Sequence, residues 1–105
     1  MNTKDFSKRL YELREAKGVS ARDMSLSIGQ NPGYINDIEN GKGTPSLTAF
    51  LYICEYLEVE PSQFFDLDME HPAKINHLIT CASNLNDRQL DTIITIAEEF
   101  INKDK

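Results

Sequence analysis

The segment GQNPGYINDIENGKGTPS, residues 29 to 46, decides the fold because it combines a tight turn with a short helix. Gly29 suits the left-handed conformation that such a turn requires. Pro32 suits the first position of a helix, where its missing N–H costs nothing. Ile35 and Ile38 are spaced to face the same side of a helix. The segment therefore predicts a turn followed by a helix that buries two isoleucines.

Residues that favour helix ends bound this helix on both sides. Asn31 can cap its N-terminus through the side-chain oxygen. Asn40 followed by Gly41 favours a C-terminus, because glycine adopts the left-handed conformation found just after many helices. We therefore place the helix at residues 31 to 40.

Two helices precede the turn. Phe6, Leu10 and Leu13 recur at the spacing of one helical face, and Gly18 is expected to end that first helix. Ser20 is expected to cap the second helix, which is about two turns long and ends at the turn. Two short helices joined by so tight a turn cross steeply.

The apolar pattern after the segment predicts further helices and no strand. Ser46 is expected to cap a fourth helix, and Pro61 to begin a short fifth helix that places Phe64 and Phe65 at the bottom of the core. The expected core face of the fourth helix comprises Leu47, Phe50, Leu51, Cys54 and Leu57.

Two more helices are predicted over residues 72 to 85 and 86 to 103, after a polar linker. The chain is therefore expected to be all-α, with a five-helix domain at residues 1 to 67 and a C-terminal two-helix element at residues 68 to 105. The apolar stripe of the last helix comprises Leu90, Ile93, Ile94, Ala97, Phe100 and Ile101. Because this stripe is too wide for one neighbouring helix, either a second subunit or the chain's own first domain is expected to cover it.

The acidic residues are concentrated in the second half of the chain. Residues 1 to 45 hold seven basic and six acidic residues, a net charge of +1, whereas residues 46 to 105 hold four basic and eleven acidic residues, a net charge of -7. A surface that faces a polyanion is therefore expected in the first half, although its positive charge is small.

Several classes of protein are not expected. The N-terminus lacks an apolar stretch of signal-peptide length, and no apolar run approaches a membrane span, which predicts a cytoplasmic protein. Cys54 and Cys81 form no metal-binding pair and are expected to be buried free thiols, while His71 and His77 belong to no motif. Without a phosphate loop, nucleophile motif or paired carboxylates, the sequence predicts neither an enzyme nor a bound metal or cofactor.

Several motifs in register resemble the lambda-repressor-like helix-turn-helix family, of the Cro and xenobiotic-response-element type. They are RLYELREAKGVS, the small residue Ser25 in the second helix, GQNPGYINDIENGKGTPSL, and LEVEPSQFF. The resemblance covers residues 9 to 66, nearly the whole of that family's domain. It implies a regulator of transcription, most simply a repressor, that places helix 31 to 40 in the major groove of double-stranded DNA. Because a single domain with so little positive charge is expected to bind weakly, the repressor is expected to be a homodimer.

The resemblance also assigns residues to roles. Arg14 and Glu39 match the positions of an ion pair between the first and third helices. The implied DNA-binding residues lie in the turn, on the outward face of the third helix and in the loop after it. They are Gln30, Asn31, Gly33, Tyr34, Asn36, Asp37, Asn40, Lys42, Gly43 and Thr44.

Four positions depart from the family pattern and weaken the expected sequence readout. Ala21 and the pair Pro32 and Gly33 stand where Gln or Ser is common, and none of them can make a bidentate base contact. Asp37 is repelled by phosphates. An alternative therefore remains open, in which the scaffold is an antitoxin-like protein-interaction module with little or no DNA binding.

Overall fold

The computed structural model describes residues 1 to 103, and every regular element within them is an α-helix, so the expected all-α class is confirmed. The helices are α1 (Thr3–Lys17), α2 (Ala21–Ser27), α3 (Tyr34–Glu39), α4 (Leu47–Leu57), α5 (Pro61–Phe64), α6 (Pro72–Ser83) and α7 (Asp87–Lys103). Contacts group the chain into unit 1, Met1–Lys74, and unit 2, Ile75–Lys105. No helix in the described range is both long and apolar enough to cross a membrane.

The first helix is closed at both ends by local interactions. The Asn2 side chain accepts a hydrogen bond from the Asp5 N–H at 2.8 Å, and the Asp5 carboxylate accepts one from the Asn2 N–H, so the two residues form a capping box. Gly18 ends the helix in the left-handed conformation with φ 77°, as its position in the sequence predicts.

The third helix begins later than expected, at Tyr34 instead of Asn31. The Asn31 side-chain oxygen accepts a hydrogen bond from the Gly33 N–H at 3.1 Å, two residues further on. Asparagine is as well suited to closing such a turn as to capping a helix, and here the turn form is adopted. Pro32 and Gly33 therefore belong to the turn, and the predicted helix boundary is wrong at this end.

The core of unit 1 is formed by side chains of α1 to α5 and of the segment between α4 and α5. It is formed by Leu10, Leu13, Met24, Ile35, Ile38, Phe50, Ile53, Cys54, Leu57, Val59 and Phe64. Phe64 is completely buried, and its ring lies 4.9 Å from that of Phe6 and 5.1 Å from that of Phe50, measured between centroids. Phe65 is only partly covered, so it fills less of the core than expected.

The buried face of α4 is rotated from the expected one. Leu47 is 74% exposed and Leu51 is 49% exposed, whereas Ala49 and Ile53 are buried. The helix therefore places Ala49, Phe50, Ile53, Cys54 and Leu57 against the core. An all-round apolar helix such as LTAFLYICEYL does not reveal from its own sequence which side is buried.

Arg9 fastens the chain after α5 to α1. Its guanidinium is buried and donates hydrogen bonds to three main-chain carbonyl oxygens: Phe64 at 2.8 Å, Gln63 at 2.7 Å and Met69 at 3.1 Å. Two of these carbonyls lie at the C-terminal end of α5, where helix geometry leaves acceptors open, and the third lies in the segment that follows. The charge of Arg9 is therefore enclosed by carbonyl dipoles.

The two cysteines lie in different environments. Cys54 is buried, and burial together with the charge of Glu60 raises the pKa of its thiol to about 11. Cys81 is exposed on α6, so the expectation that both thiols are buried is wrong for Cys81. The error has a simple source, since α6 presents much of its surface to solvent.

Unit 2 contains two amphipathic helix segments with little burial. The Asn86 side chain accepts from the Gln89 N–H at 2.9 Å and the Gln89 side chain accepts from the Asn86 N–H at 3.1 Å, a capping box that starts α7. Eight large apolar side chains in unit 2 are between 37% and 65% exposed. They are Ile75, Leu78, Ile79, Ile93, Ile94, Ile96, Phe100 and Ile101.

Candidate DNA interface

The outward face of α3 is polar and fully accessible. Ile35 and Ile38 are buried against the core, which leaves Asn36, Asp37 and Asn40 on the opposite side. Side chains on such a face can reach base edges when a helix of this width enters a major groove. The structure thus gives α3 the shape that recognition requires.

The N-terminus of α3 is held to α2 by one hydroxyl group. The Ile35 N–H donates to Ser25 Oγ at 2.9 Å, and that hydroxyl donates to the Ala21 carbonyl at 2.7 Å. Ser25 is completely buried. A small residue is therefore needed here for space, and a hydroxyl supplies a partner for an N–H that the start of a helix leaves open.

The C-terminus of α3 is held to α1 by an ion pair. Arg14 Nε lies 2.7 Å from Glu39 Oε2, and Arg14 Nη2 lies 2.9 Å from Glu39 Oε1, a bidentate arrangement. The side chains are 10% and 7% exposed. The hydrogen bond with Glu39 raises the pKa of Arg14 above its usual value. Arg14 Nη1 also donates to the Val19 carbonyl at 2.8 Å, so the segment just after α1 helps to orient the guanidinium.

The turn before α3 presents several of the predicted contact residues. The Gln30 N–H donates to the Ser25 carbonyl at 2.9 Å, which fixes the turn, and Asn31 is exposed. Tyr34 is partly buried, and this burial raises the pKa of its hydroxyl group. A tyrosine hydroxyl is protonated at neutral pH in any case and can act as a hydrogen-bond donor.

The loop after α3 folds back onto the helix. The Lys42 N–H donates to the Asp37 carbonyl at 2.8 Å, and Gly43 has φ 143°, a value that favours glycine. Lys42 and Thr44 are exposed. The Asn40 side-chain N–H donates to the Asn36 carbonyl at 2.9 Å, so one donor of this amide is directed back at the helix.

The ten predicted contact residues therefore lie in three consecutive pieces of one surface: the turn, the outward face of α3 and the loop. We call this surface the candidate DNA interface. Ala21, at the start of α2, is partly buried and adds no polar group. The exposed side-chain amides on this surface belong to Asn31, Asn36 and Asn40.

Ser7 also positions α3, and sequence reasoning missed it. Its hydroxyl donates to the Ile38 carbonyl at 2.7 Å and is buried. The available signal was its position, one turn before the completely buried Leu10 on the same face of α1. Ser7 and Arg14 together hold the C-terminal end of α3 against α1.

Two short helices, α2 and α3, joined by a tight turn and with the polar face of the second left open, form the arrangement that characterises the helix-turn-helix class of DNA-binding protein. A model of the helix-turn-helix family HTH_3 matches residues 10 to 64, more than half of the chain. The chain therefore belongs to this lambda-repressor-like family, as the sequence motifs indicate, and is a DNA-binding regulator of transcription.

A solved structure supports the same assignment. The crystal structure of the restriction-modification controller protein C.AhdI from Aeromonas hydrophila is similar to this chain at 33% sequence identity, with a TM-score of 0.56. The match covers 60% of this chain and 91% of C.AhdI. No curated protein matches the chain significantly.

Proposed function

We propose that the protein is a homodimeric repressor that places α3 in the major groove of its operator. The observation that supports this most directly is the construction of α3. Ser25 holds its first turn and the buried pair Arg14–Glu39 holds its last, while Asn36, Asp37 and Asn40 stay open. The helix is already fixed by the fold, and the side chains of its polar face are exposed. Binding a ligand on that face therefore costs little conformational entropy.

The proposal assigns phosphate contacts and base recognition to different residues. In this proposal Lys42 and the main chain around Gly43 contact phosphates, which fix position without carrying sequence information. Asn36 contacts a base edge. The proposed activity needs no catalytic step and no cofactor, and we expect it in the cytoplasm.

Replacing Lys42 by alanine is expected to weaken binding about equally on all duplex sequences. Loss of one phosphate contact lowers the slope of log affinity against log salt concentration by about one. Fluorescence anisotropy at several salt concentrations measures this slope. Lys74→Ala is the matched control, since it removes an exposed lysine outside the candidate DNA interface. Equal slopes for both variants and the parent protein would remove Lys42 from the interface.

Replacing Asn36 by alanine is expected to reduce discrimination between operator variants. An amide that reads an adenine edge contributes roughly 1 to 3 kcal/mol at one base pair. The measurement is a competition titration with DNA from upstream of the gene and its single-base variants. The Lys42→Ala protein provides the contrast, because its loss is independent of sequence. A uniform loss for Asn36→Ala would show that it contacts the backbone instead.

The dimer is proposed from the apolar surface of unit 2. Eight large apolar side chains of unit 2 are between 37% and 65% exposed, and a monomer rarely leaves a large apolar patch uncovered. In a two-fold symmetric dimer, the same apolar surface of each subunit would cover that of the other. Two linked domains on one duplex also compensate for the weak readout of a single domain.

Placing a charge in this surface is expected to separate the subunits. Ile94→Asp buries a carboxylate in the proposed interface, whereas Thr92→Asp puts the same group on the polar side of the same helix. Sedimentation equilibrium at tens of micromolar should give twice 12.0 kDa for the parent protein and Thr92→Asp, and 12.0 kDa for Ile94→Asp. A monomeric parent protein contradicts the proposal.

A further inference from the structure

An open groove of about 710 Å³ runs along α1 beside the end of α3. It is lined by Thr3, Lys4, Ser7, Lys8, Tyr11, Glu39, Asn40 and Gly41. We call it the α1–α3 groove. Lys4, Lys8 and Tyr11 belong to none of the interactions assigned above.

The charge of this groove is positive. Its one lining carboxylate, Glu39, is paired with Arg14 and is only 7% exposed. Lys8 Nζ lies 3.8 Å from the exposed carboxylate of Glu12, a distance and exposure at which a surface pair contributes little. Lys4 is exposed, and neighbouring Asp5 is engaged with Asn2 in the capping box. Two ammonium groups are therefore available to an anion.

Three of the six other cationic side chains of unit 1 are engaged within the fold, whereas Arg22, Lys42 and Lys74 are exposed. Arg9 is buried among carbonyls and Arg14 is neutralised by Glu39. Lys17 lies over the Tyr56 ring, with its nitrogen 5.1 Å from the ring centroid. Duplex binding depends mainly on cations that displace condensed counterions. The lysines of the α1–α3 groove thus form a large share of the positive charge that unit 1 presents.

The groove is continuous with the candidate DNA interface. Asn40 belongs to both, and Gly41 precedes Lys42 directly. Tyr11 is oriented by the Arg14 guanidinium, whose central carbon lies 5.4 Å from the ring centroid. Its hydroxyl group is therefore a third donor at the same groove, on a side chain that is already held in place.

We propose that the α1–α3 groove binds DNA backbone phosphates next to the base pairs that α3 contacts, with Lys4 and Lys8 as the charged ligands and Tyr11 as a neutral donor. This inference rests on the proposed DNA-binding function and widens its footprint from α3 and its loop to α1. The ligand is a phosphodiester, and its contribution is independent of sequence.

The test compares the double variant Lys4→Gln, Lys8→Gln with the double variant Lys17→Gln, Lys74→Gln. The control removes the same charge from lysines that line a separate cavity with Leu13 and Leu57. The probe is a mixed-sequence duplex of about 30 base pairs, titrated at several salt concentrations. The groove variant should lower the salt slope by about two, and the control variant by less than one. Matching thermal melting curves establish that both variants are folded.

The outcomes separate this inference from the proposed function. If Lys42→Ala lowers the slope while the groove variant behaves like its control, the inference is wrong and the proposed function stands. If the parent protein binds no duplex, both are wrong. A second experiment titrates the protein with inorganic phosphate in the absence of DNA and follows binding by NMR chemical-shift changes. Saturable phosphate binding lost in the groove variant, with an unchanged DNA slope, would assign the groove to a free anion and overturn the proposal.

Discussion

Methionine in place of Arg14 is expected to lower the free energy of unfolding of unit 1 by about 3 to 5 kcal/mol. The substitution leaves the carboxylate of Glu39 at a site where its side chain is only 7% exposed, without the two charge-assisted hydrogen bonds at 2.7 and 2.9 Å. The Val19 carbonyl loses its donor as well. Methionine retains much of the volume of arginine, so lost charge pairing dominates the effect.

Urea unfolding followed by tyrosine fluorescence measures this change, because all four tyrosines lie in unit 1. Glu15→Gln is the matched control. Glu15 pairs with the same guanidinium at 3.1 Å but is 54% exposed, so its loss should cost under about 1 kcal/mol. The double variant Arg14→Met, Glu39→Leu should recover most of the stability, since no charge is stranded. Equal losses for Arg14→Met and Glu15→Gln would contradict the buried-pair interpretation.

Methionine in place of Arg9 is expected to lower the same free energy by about 3 kcal/mol, because it removes the donors for three carbonyl oxygens at or near buried positions. Arg9→Lys keeps the charge but cannot reach all three acceptors, so it should fall between the parent and Arg9→Met. Lys8→Met, at the exposed neighbouring position, should stay within about 0.5 kcal/mol of the parent.

A second measurement isolates the role of Arg9 in holding the chain after α5. Proteolysis between Phe65 and Met69 should be faster in Arg9→Met, since the carbonyls of Phe64 and Met69 lose their anchor. Unchanged stability together with unchanged cleavage would show that the three hydrogen bonds contribute nothing to the fold.

The sequence predicted those features of the fold that depend on neighbouring residues. Gly18 ends α1, Ser20 caps α2 and Ser46 caps α4 in the structure, and each acts over at most a few residues. Asn31 is the local case that was predicted wrongly, because its side chain satisfies a turn and a helix N-terminus equally well. Local propensity does not choose between these two forms.

The features that the sequence did not reveal depend on residues far apart in the chain. Arg9 binds the Phe64 carbonyl across 55 positions, and Ser7 binds the Ile38 carbonyl across 31. A sequence pattern can indicate that such side chains face inward. It cannot indicate which main-chain carbonyl they bind, because every residue has one. The surface of α3 was predictable in outline because the spacing of Ile35 and Ile38 fixes which side is open.

Because the two cysteines differ in exposure, a thiol reagent can label one of them selectively. With a pKa of about 11 and a buried sulfur, Cys54 is a thiolate in only about one molecule in ten thousand at neutral pH. A maleimide dye therefore attaches to the exposed Cys81 on α6 without mutagenesis. The dye then reports on unit 2 while tyrosine emission reports on unit 1. The slower rate at which Cys54 is then modified measures how often the core of unit 1 opens.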